Sequence, residues 1–163
     1  MKVVNTHKRI INLSKTEIAS LLASLSTTND KVWPKNNWPA IRFKGGLKVG
    51  AKGGHGMIRY NVEQYILGEL LVFRFLKPNG FNGIHKFEIK SISVENTEVK
   101  HSIVMKTKGI IATLKWVLVI RWLHDALIEN AFDTIENNFL KEKTHKKWSY
   151  WVRLWRFILS RIR

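Results

Sequence analysis

The sequence contains no cysteine. That excludes disulfides, thiolate metal sites and a cysteine nucleophile. It also has no run of about 18 apolar residues, so no transmembrane helix is expected. Met1–Leu13 carries neither an apolar signal-peptide core nor a small-residue cleavage site, which reads as a cytoplasmic chain. Acidic residues are scarce, 12 against 28 Lys and Arg. No paired-carboxylate, Ser-His-Asp or lysine-nucleophile signature emerges. The six histidines form no H-E-x-x-H or H-x-H spacing, so neither a metal nor another cofactor is expected.

At 163 residues, one domain with a substantial core is expected. The net charge is +16, and residues 141–163 alone hold 8 basic residues against 1 acid. The body is thus moderately basic and the tail strongly so.

Lys2–Ile11 is β-branched with loose alternation and reads as a first strand. Ser14 and Glu17 form a capping box ahead of Ile18, Leu21, Leu22 and Leu25, one face of a helix ending near Leu25. Thr27–Pro39 contains Asn-Asp, two Trp-Pro pairs and Asn-Asn, the chemistry of a loop or short helical turn. Its Trp33 and Trp38 either pack onto the body or line the mouth of a pocket. Ala40–Gly56 is rich in glycine, but fits no phosphate-binding spacing and precedes no helix. Turns and bulges between short strands are the reading.

From Met57 the period switches to two. Ile58, Tyr60 and Val62, then Leu71, Phe73 and Phe75, then His85, Phe87 and Ile89, then Val99, His101, Ile103 and Met105 mark the apolar faces of meander strands. A three-residue loop at Val94–Asn96 would set His101 opposite Ile89 and His85 opposite Met105, with both imidazoles inward. Histidine can act as acid or base near neutral pH. The alternative is a core histidine satisfied by a carbonyl or water. His55 and His124 have suggestive positions and no partner that spacing supplies.

Lys108–Leu140 is a helix of about 30 residues, roughly 45 Å long. It carries a polar stripe of Arg121, Asp125, Glu129, Asp133 and Glu136. Its apolar stripe is Trp116, Ile120, Leu123, Leu127, Ala131 and Ile135. Its first half is apolar nearly all round and calls for cover on several sides. A curved antiparallel sheet that grips this helix is the expected α+β solution.

The strings WPAIRF, VGAKGGHGMIRYNVEQY, VFRFLKPNGFNGIHKFE and LHDALIENAFD then carry a resemblance. Residues 2–140 resemble the SRPBCC superfamily of START-like and birch-pollen-allergen-like helix-grip proteins, nearest to bacterial polyketide cyclase/dehydrase-like members. The resemblance implies a seven-stranded sheet in β-αα-β6-α order around a C-terminal helix, with a cavity for a hydrophobic ligand. It implies no single activity and no catalytic residue. The implied ligand is a hydrophobic small molecule or lipid. Its expected wall combines Trp33, Trp38, Tyr60, Phe73, His85 and Phe87 with His101, Met105, Trp116, Ile120, Leu123 and Leu127. A cyclase/dehydratase-like enzyme using His85 or His101 is the alternative.

The domain is expected over residues 1–140, a charged hinge over 141–147 and a basic amphipathic helix over 148–163. Tryptophans on the apolar arc and arginines on the polar arc describe a helix that lies in a membrane interface. Trp148, Trp151, Arg153, Trp155, Arg156, Ile158 and Ile162 are the expected contacts with an anionic membrane, on its cytoplasmic face. The other readings dock the tail on its own domain, a partner protein or a second copy as a homodimer. Nucleic acid is not expected, because the aromatics segregate from the basic residues.

Overall fold

The computed structural model describes residues 1–143 and 145–161. Among them the strands are β1 (Lys2–Ile11), β2 (Arg42–Phe43), β3 (Lys52–His55), β4 (Ile58–Ile66), β5 (Leu70–Lys77), β6 (Phe81–Ser91) and β7 (Thr97–Thr107). All pair antiparallel in one sheet of order β1-β7-β6-β5-β4-β3-β2. Helix α1 (Lys15–Ala23) starts on the expected capping box, with the Ser14 hydroxyl accepting from Glu17 N–H and the Glu17 carboxylate accepting from Ser14 N–H. It buries Ile18, Leu21 and Leu22. Beyond it, residues 34–38 form a single turn closed by Trp38 N–H on the Pro34 carbonyl.

The long helix has three parts: α2 (Ile110–Lys115), a π-helical turn (Trp116–Ile120) and α3 (Arg121–Glu136). It therefore starts and stops inside the expected Lys108–Leu140. Gly80, at φ +87, tucks the β5–β6 turn under its beginning. A Cβ there would stand 2.6 Å from the Lys108 carbonyl oxygen and 2.7 Å from the Ala112 side chain. The sheet grips α3, where Leu127, Ile128, Ala131, Phe132 and Ile135 are all buried. The first half is not wrapped as its composition suggested. Ile110, Ile111, Leu114, Leu118 and Trp122 remain exposed, while Ala112 and Trp116 alone in that half are buried, against Val3, Phe81, Ile103 and Met105.

The β6–β7 connection corrects the expected register. The loop spans residues 92–96, held by Ile92 and Ser93 N–H on the Asn96 carbonyl and by Asn96 N–H on the Ser93 hydroxyl. His85 therefore faces Ile103, Phe87 faces His101, and Met105 faces Gly83. The slip is two residues, one full period of a strand, so both histidines keep the inward face.

Helix α4 (Tyr150–Arg161) docks on the domain. Val152 is buried in the main core, and the Trp151 indole N–H donates to the Leu118 carbonyl at 2.8 Å. Asn130 Oδ1 accepts from the indole N–H groups of both Trp38 (3.1 Å) and Trp148 (2.7 Å). The Arg156 guanidinium lies 4.4 Å and 4.1 Å above those two rings. Asn130→Ala would leave both N–H groups without their acceptor, at an expected cost of about 2–4 kcal/mol. Chemical denaturation should show this loss, and limited proteolysis should show faster cleavage within residues 141–147.

Candidate functional site

A row of aromatic and imidazole rings runs through the interior between sheet and long helix. It begins where Trp33, from the loop after α1, meets His55 of β3 at 4.8 Å between ring centres. Tyr60 of β4 follows, 4.6 Å from His85 of β6. His85 stacks on Phe73 at 4.7 Å, and its Nδ1 lies 3.2 Å from His101 Nε2. His101 of β7 meets Phe87 at 4.6 Å and His124 of α3 at 5.0 Å. Alternation explains the convergence: each residue occupies an inward position of its strand, and antiparallel pairing stacks those positions across the sheet.

The row is buried and poorly satisfied. Tyr60 is fully buried and His101 is 1% exposed. Among the described residues, Tyr60 Oη, His85 Nε2, His101 Nδ1 and both His124 nitrogens are buried without a hydrogen-bond partner. Burial pushes the His55 pKa down to about 3 and holds His85 and His101 well below the ordinary imidazole range. It likewise pushes the Tyr60 phenol well up. The interior histidines are neutral, able to accept or donate a hydrogen bond but not to carry charge.

The far end of the row opens into a polar seam between β1 and α3. Here the acidic stripe of the long helix faces strand β1 instead of water. His7 Nδ1 lies 2.9 Å from Glu129 Oε1, and His7 Nε2 lies 3.0 Å from Asp125 Oδ1. Asn5 donates to the same Asp125 oxygen at 2.9 Å. The Arg9 guanidinium donates to Asp133 (2.8 Å), Glu136 (2.7 Å) and Glu129 (2.9 Å). Burial opposes charge on His7, but its bonds to Asp125 and Glu129 prevail and raise its pKa. Burial also opposes charge on Asp125, and His124, His7 and Asn5 beside it more than compensate, holding its carboxyl well below the usual range.

The structure brings Tyr60, Phe73, His85, Phe87 and His101 together, with Trp33, Trp38 and Leu127 in the same core and Leu123 packed on it. Met105 and Trp116 belong to a second apolar cluster, with Ile120 partly buried against it. These side chains fill the interior. A shallow cleft of about 240 Å³ lies at the β1 edge, lined by Met1, Lys2, Val3, Val4, Asn5, Trp116 and Arg121. Behind it, the Trp116 ring stands 6.3 Å from His124.

Trp148, just before α4, and Trp155, Arg156 and Ile158 on it are partly covered, while Trp151 and Arg153 are exposed. Ile162 lies outside the described residues. The face turned outward carries Tyr150, Trp151, Leu154 and Phe157 and adjoins Leu118 of the π-helical turn. Ile110, Ile111, Leu114 and Trp122 of the long helix are exposed as well, in a stretch that also carries Lys108, Lys115 and Arg121, as α4 carries Arg153. No helix among the described residues is long and apolar enough to cross a membrane.

Asn5, His7 and Arg9 escaped sequence reasoning because β1 was read for its β-branched residues. Their alternation at 5, 7 and 9 was visible, but nothing in the strand says that its inward side is polar.

No family model and no curated protein matches this sequence. Solved structures match its fold. A truncated norcoclaurine synthase from Thalictrum flavum is 12% identical, with a TM-score of 0.65 over 88% of this chain and 96% of that one. The same enzyme has been solved with dopamine and hydroxybenzaldehyde, again at 12% identity and a TM-score of 0.65, over 88% and 90% of the two chains. A Thermobifida fusca protein is 12% identical with a TM-score of 0.64, over 90% and 99%. An Enterococcus faecalis conserved protein of unknown function is 13% identical with a TM-score of 0.62, over 99% and 85%. The fold is the helix-grip fold.

Proposed function

We propose that this protein binds a hydrophobic small molecule or lipid between its sheet and long helix, and does so at an anionic membrane surface. The observation that carries the first part is the set of unpartnered polar atoms on Tyr60, His85, His101 and His124 inside an otherwise apolar interior. Each such group costs about 1–3 kcal/mol when left unsatisfied, and several of them side by side are the partners that a bound molecule with its own polar group would satisfy. The ligand this suits is mostly apolar with one or two hydrogen-bonding groups. Trp116 stands between the 240 Å³ cleft and His124, at the start of the π-helical turn, where displacement would join the cleft to the row. Such turns often accompany functional sites.

The membrane part rests on the exposed apolar residues of α2, the π-helical turn and α4, with basic residues in the same stretches. Apolar insertion and attraction of cations to anionic lipid, about 1 kcal/mol for each basic residue near the surface, act together there. The reading keeps Trp151 and Arg153 of the expected contacts and replaces the partly covered Trp148, Trp155, Arg156 and Ile158 by Tyr150, Leu154 and Phe157.

Native mass spectrometry of freshly purified protein should find a co-purifying apolar molecule. Tyr60→Phe should lose it, and compared with ligand-free wild type it should gain about 1 kcal/mol of stability, because it deletes a buried hydroxyl that has no partner in the empty protein. A Tyr60→Phe protein that retains the ligand, or is less stable than ligand-free wild type, would sink the ligand reading. Vesicles rich in phosphatidylserine should float the wild-type protein but not Leu118→Glu/Leu154→Glu, and salt should weaken flotation. Dimerisation that this double variant abolishes without any flotation by wild type would instead identify a protein interface. The cyclase/dehydratase-like reading draws on the 3.2 Å contact of His85 and His101. It requires that alanine at either position abolish turnover while ligand binding survives.

A further inference from the structure

We infer that His7, His124 and Asp125 form a binding site for a divalent transition-metal ion of the zinc class. The three residues each offer a ligand atom, all within 4.8 Å of one another. His7 Nε2 stands 3.0 Å and His124 Nδ1 3.5 Å from Asp125 Oδ1. Neighbouring ligands on a tetrahedral zinc ion, with bonds of about 2.0–2.1 Å, lie roughly 3.3 Å apart. The two spacings bracket that value. Two imidazoles and one carboxylate leave a further coordination position, the arrangement of an ion that receives an outside ligand.

The surroundings fit the chemistry. Glu129 Oε1 lies 2.9 Å from His7 Nδ1, so His7 can donate to it there and turn the lone pair of Nε2 toward Asp125. That glutamate is itself held, its second oxygen taking Arg9 at 2.9 Å and Lys146 at 3.3 Å. Arg121 lies 3.9 Å from the other oxygen of Asp125, leaving Oδ1 turned inward. Independently, His124 has both ring nitrogens buried and unpartnered, one of them at the edge of hydrogen-bond range from Asp125. The hydrogen bond between His7 Nε2 and Asp125 Oδ1 is carried by a proton, and a metal ion would take that proton's place. His124 also touches His101, so the ion would sit at the end of the interior row, next to the proposed ligand. The inference does not depend on that ligand being bound.

Isothermal titration of the untagged full chain with Zn²⁺ in a non-chelating buffer tests it. One saturable site per chain is expected. Asp125→Asn, which keeps the side-chain shape, and His124→Ala should each weaken binding more than about 100-fold, and Glu129→Gln by about 10- to 100-fold. His145→Ala, in the exposed segment before α4, should leave it unchanged. Co²⁺ should give the intense visible absorption of a tetrahedral ion in wild type and lose it in Asp125→Asn. Equal binding by wild type and Asp125→Asn overturns the site. So does loss of binding in His145→Ala, or the absence of a saturable isotherm. Circular dichroism of Asp125→Asn separates loss of a ligand from loss of fold, and a folded Asp125→Asn with wild-type affinity rejects the assignment.

Discussion

Lowering the pH from 6.5 to 5.5 is expected to remove about 3 kcal/mol of folding stability. His55, His85 and His101 are held neutral by burial, with pKa values below the ordinary 6.5. In the unfolded chain each takes up a proton as the pH falls through about 6.5. The unfolded state therefore binds more protons, and stability present above pH 6.5 is lost on acidification. Each fully divergent histidine contributes about 1.4 kcal/mol per pH unit, and about 1 kcal/mol over this first unit where the unfolded imidazole is still titrating. His7 has the opposite sign. Its pKa is raised by Asp125 and Glu129, so its contribution is complete at low pH and fades as the pH rises through the folded value. That offsets a few tenths of a kcal/mol across the same interval. Urea denaturation at the two pH values, monitored by tryptophan fluorescence, measures the difference. A midpoint that does not move would show that the imidazoles of the row are solvated. His101→Phe should flatten the dependence by about a quarter to a third, since it removes one of three such contributions beside that of His124, whose pKa burial also lowers.

Replacing Arg9 by alanine is expected to cost about 3–5 kcal/mol and lower the melting temperature by roughly 10 °C. Its guanidinium bridges Glu129, Asp133 and Glu136 from a position only 22% exposed, and Asp133 is 6% exposed. Three carboxylates brought together on one helix face would lose their shared cation. Asp133 would retain the Lys146 backbone N–H at 2.9 Å, so one of the three keeps a strong donor. The loss should fall on the β1–α3 seam, because no other side chain of β1 reaches Asp133 or Glu136. Arg9→Lys should recover only a minor part of it. An ammonium is a point charge, and the two guanidinium nitrogens used here reach carboxylates from three successive turns of the helix. Differential scanning calorimetry of the three proteins checks the size of the loss and the limited recovery in Arg9→Lys.

These effects share a location that the chain does not advertise locally. The periodicities at Ile58–Val62, Leu71–Phe75 and Val99–Met105 predicted the strands and their faces, and Ser14 with Glu17 predicted the start of α1. The long helix was legible from its stripes, although its π-helical turn was not. The inward placement of His85 and His101 survived a two-residue error in register, because parity along a strand is a local property. The candidate metal ligands His7, His124 and Asp125 left no spacing to recognise, as β1 and α3 are separated by more than one hundred residues.

By itself, then, the sequence determined the type and order of the main elements, a first strand, a capped helix, a run of meander strands and a long helix that they would grip, and the amphipathic character of the C-terminal segment. Hydrophobic period and cap chemistry act over a few residues, and so are written into the chain directly. Only the tertiary structure decided that the acidic stripe of the long helix meets His7 and Arg9 rather than solvent. It alone decided that Asn130 clasps Trp38 and Trp148, and that the first half of the long helix stays uncovered. Those outcomes depend on which distant surfaces bury each other, a choice made by the whole chain at once.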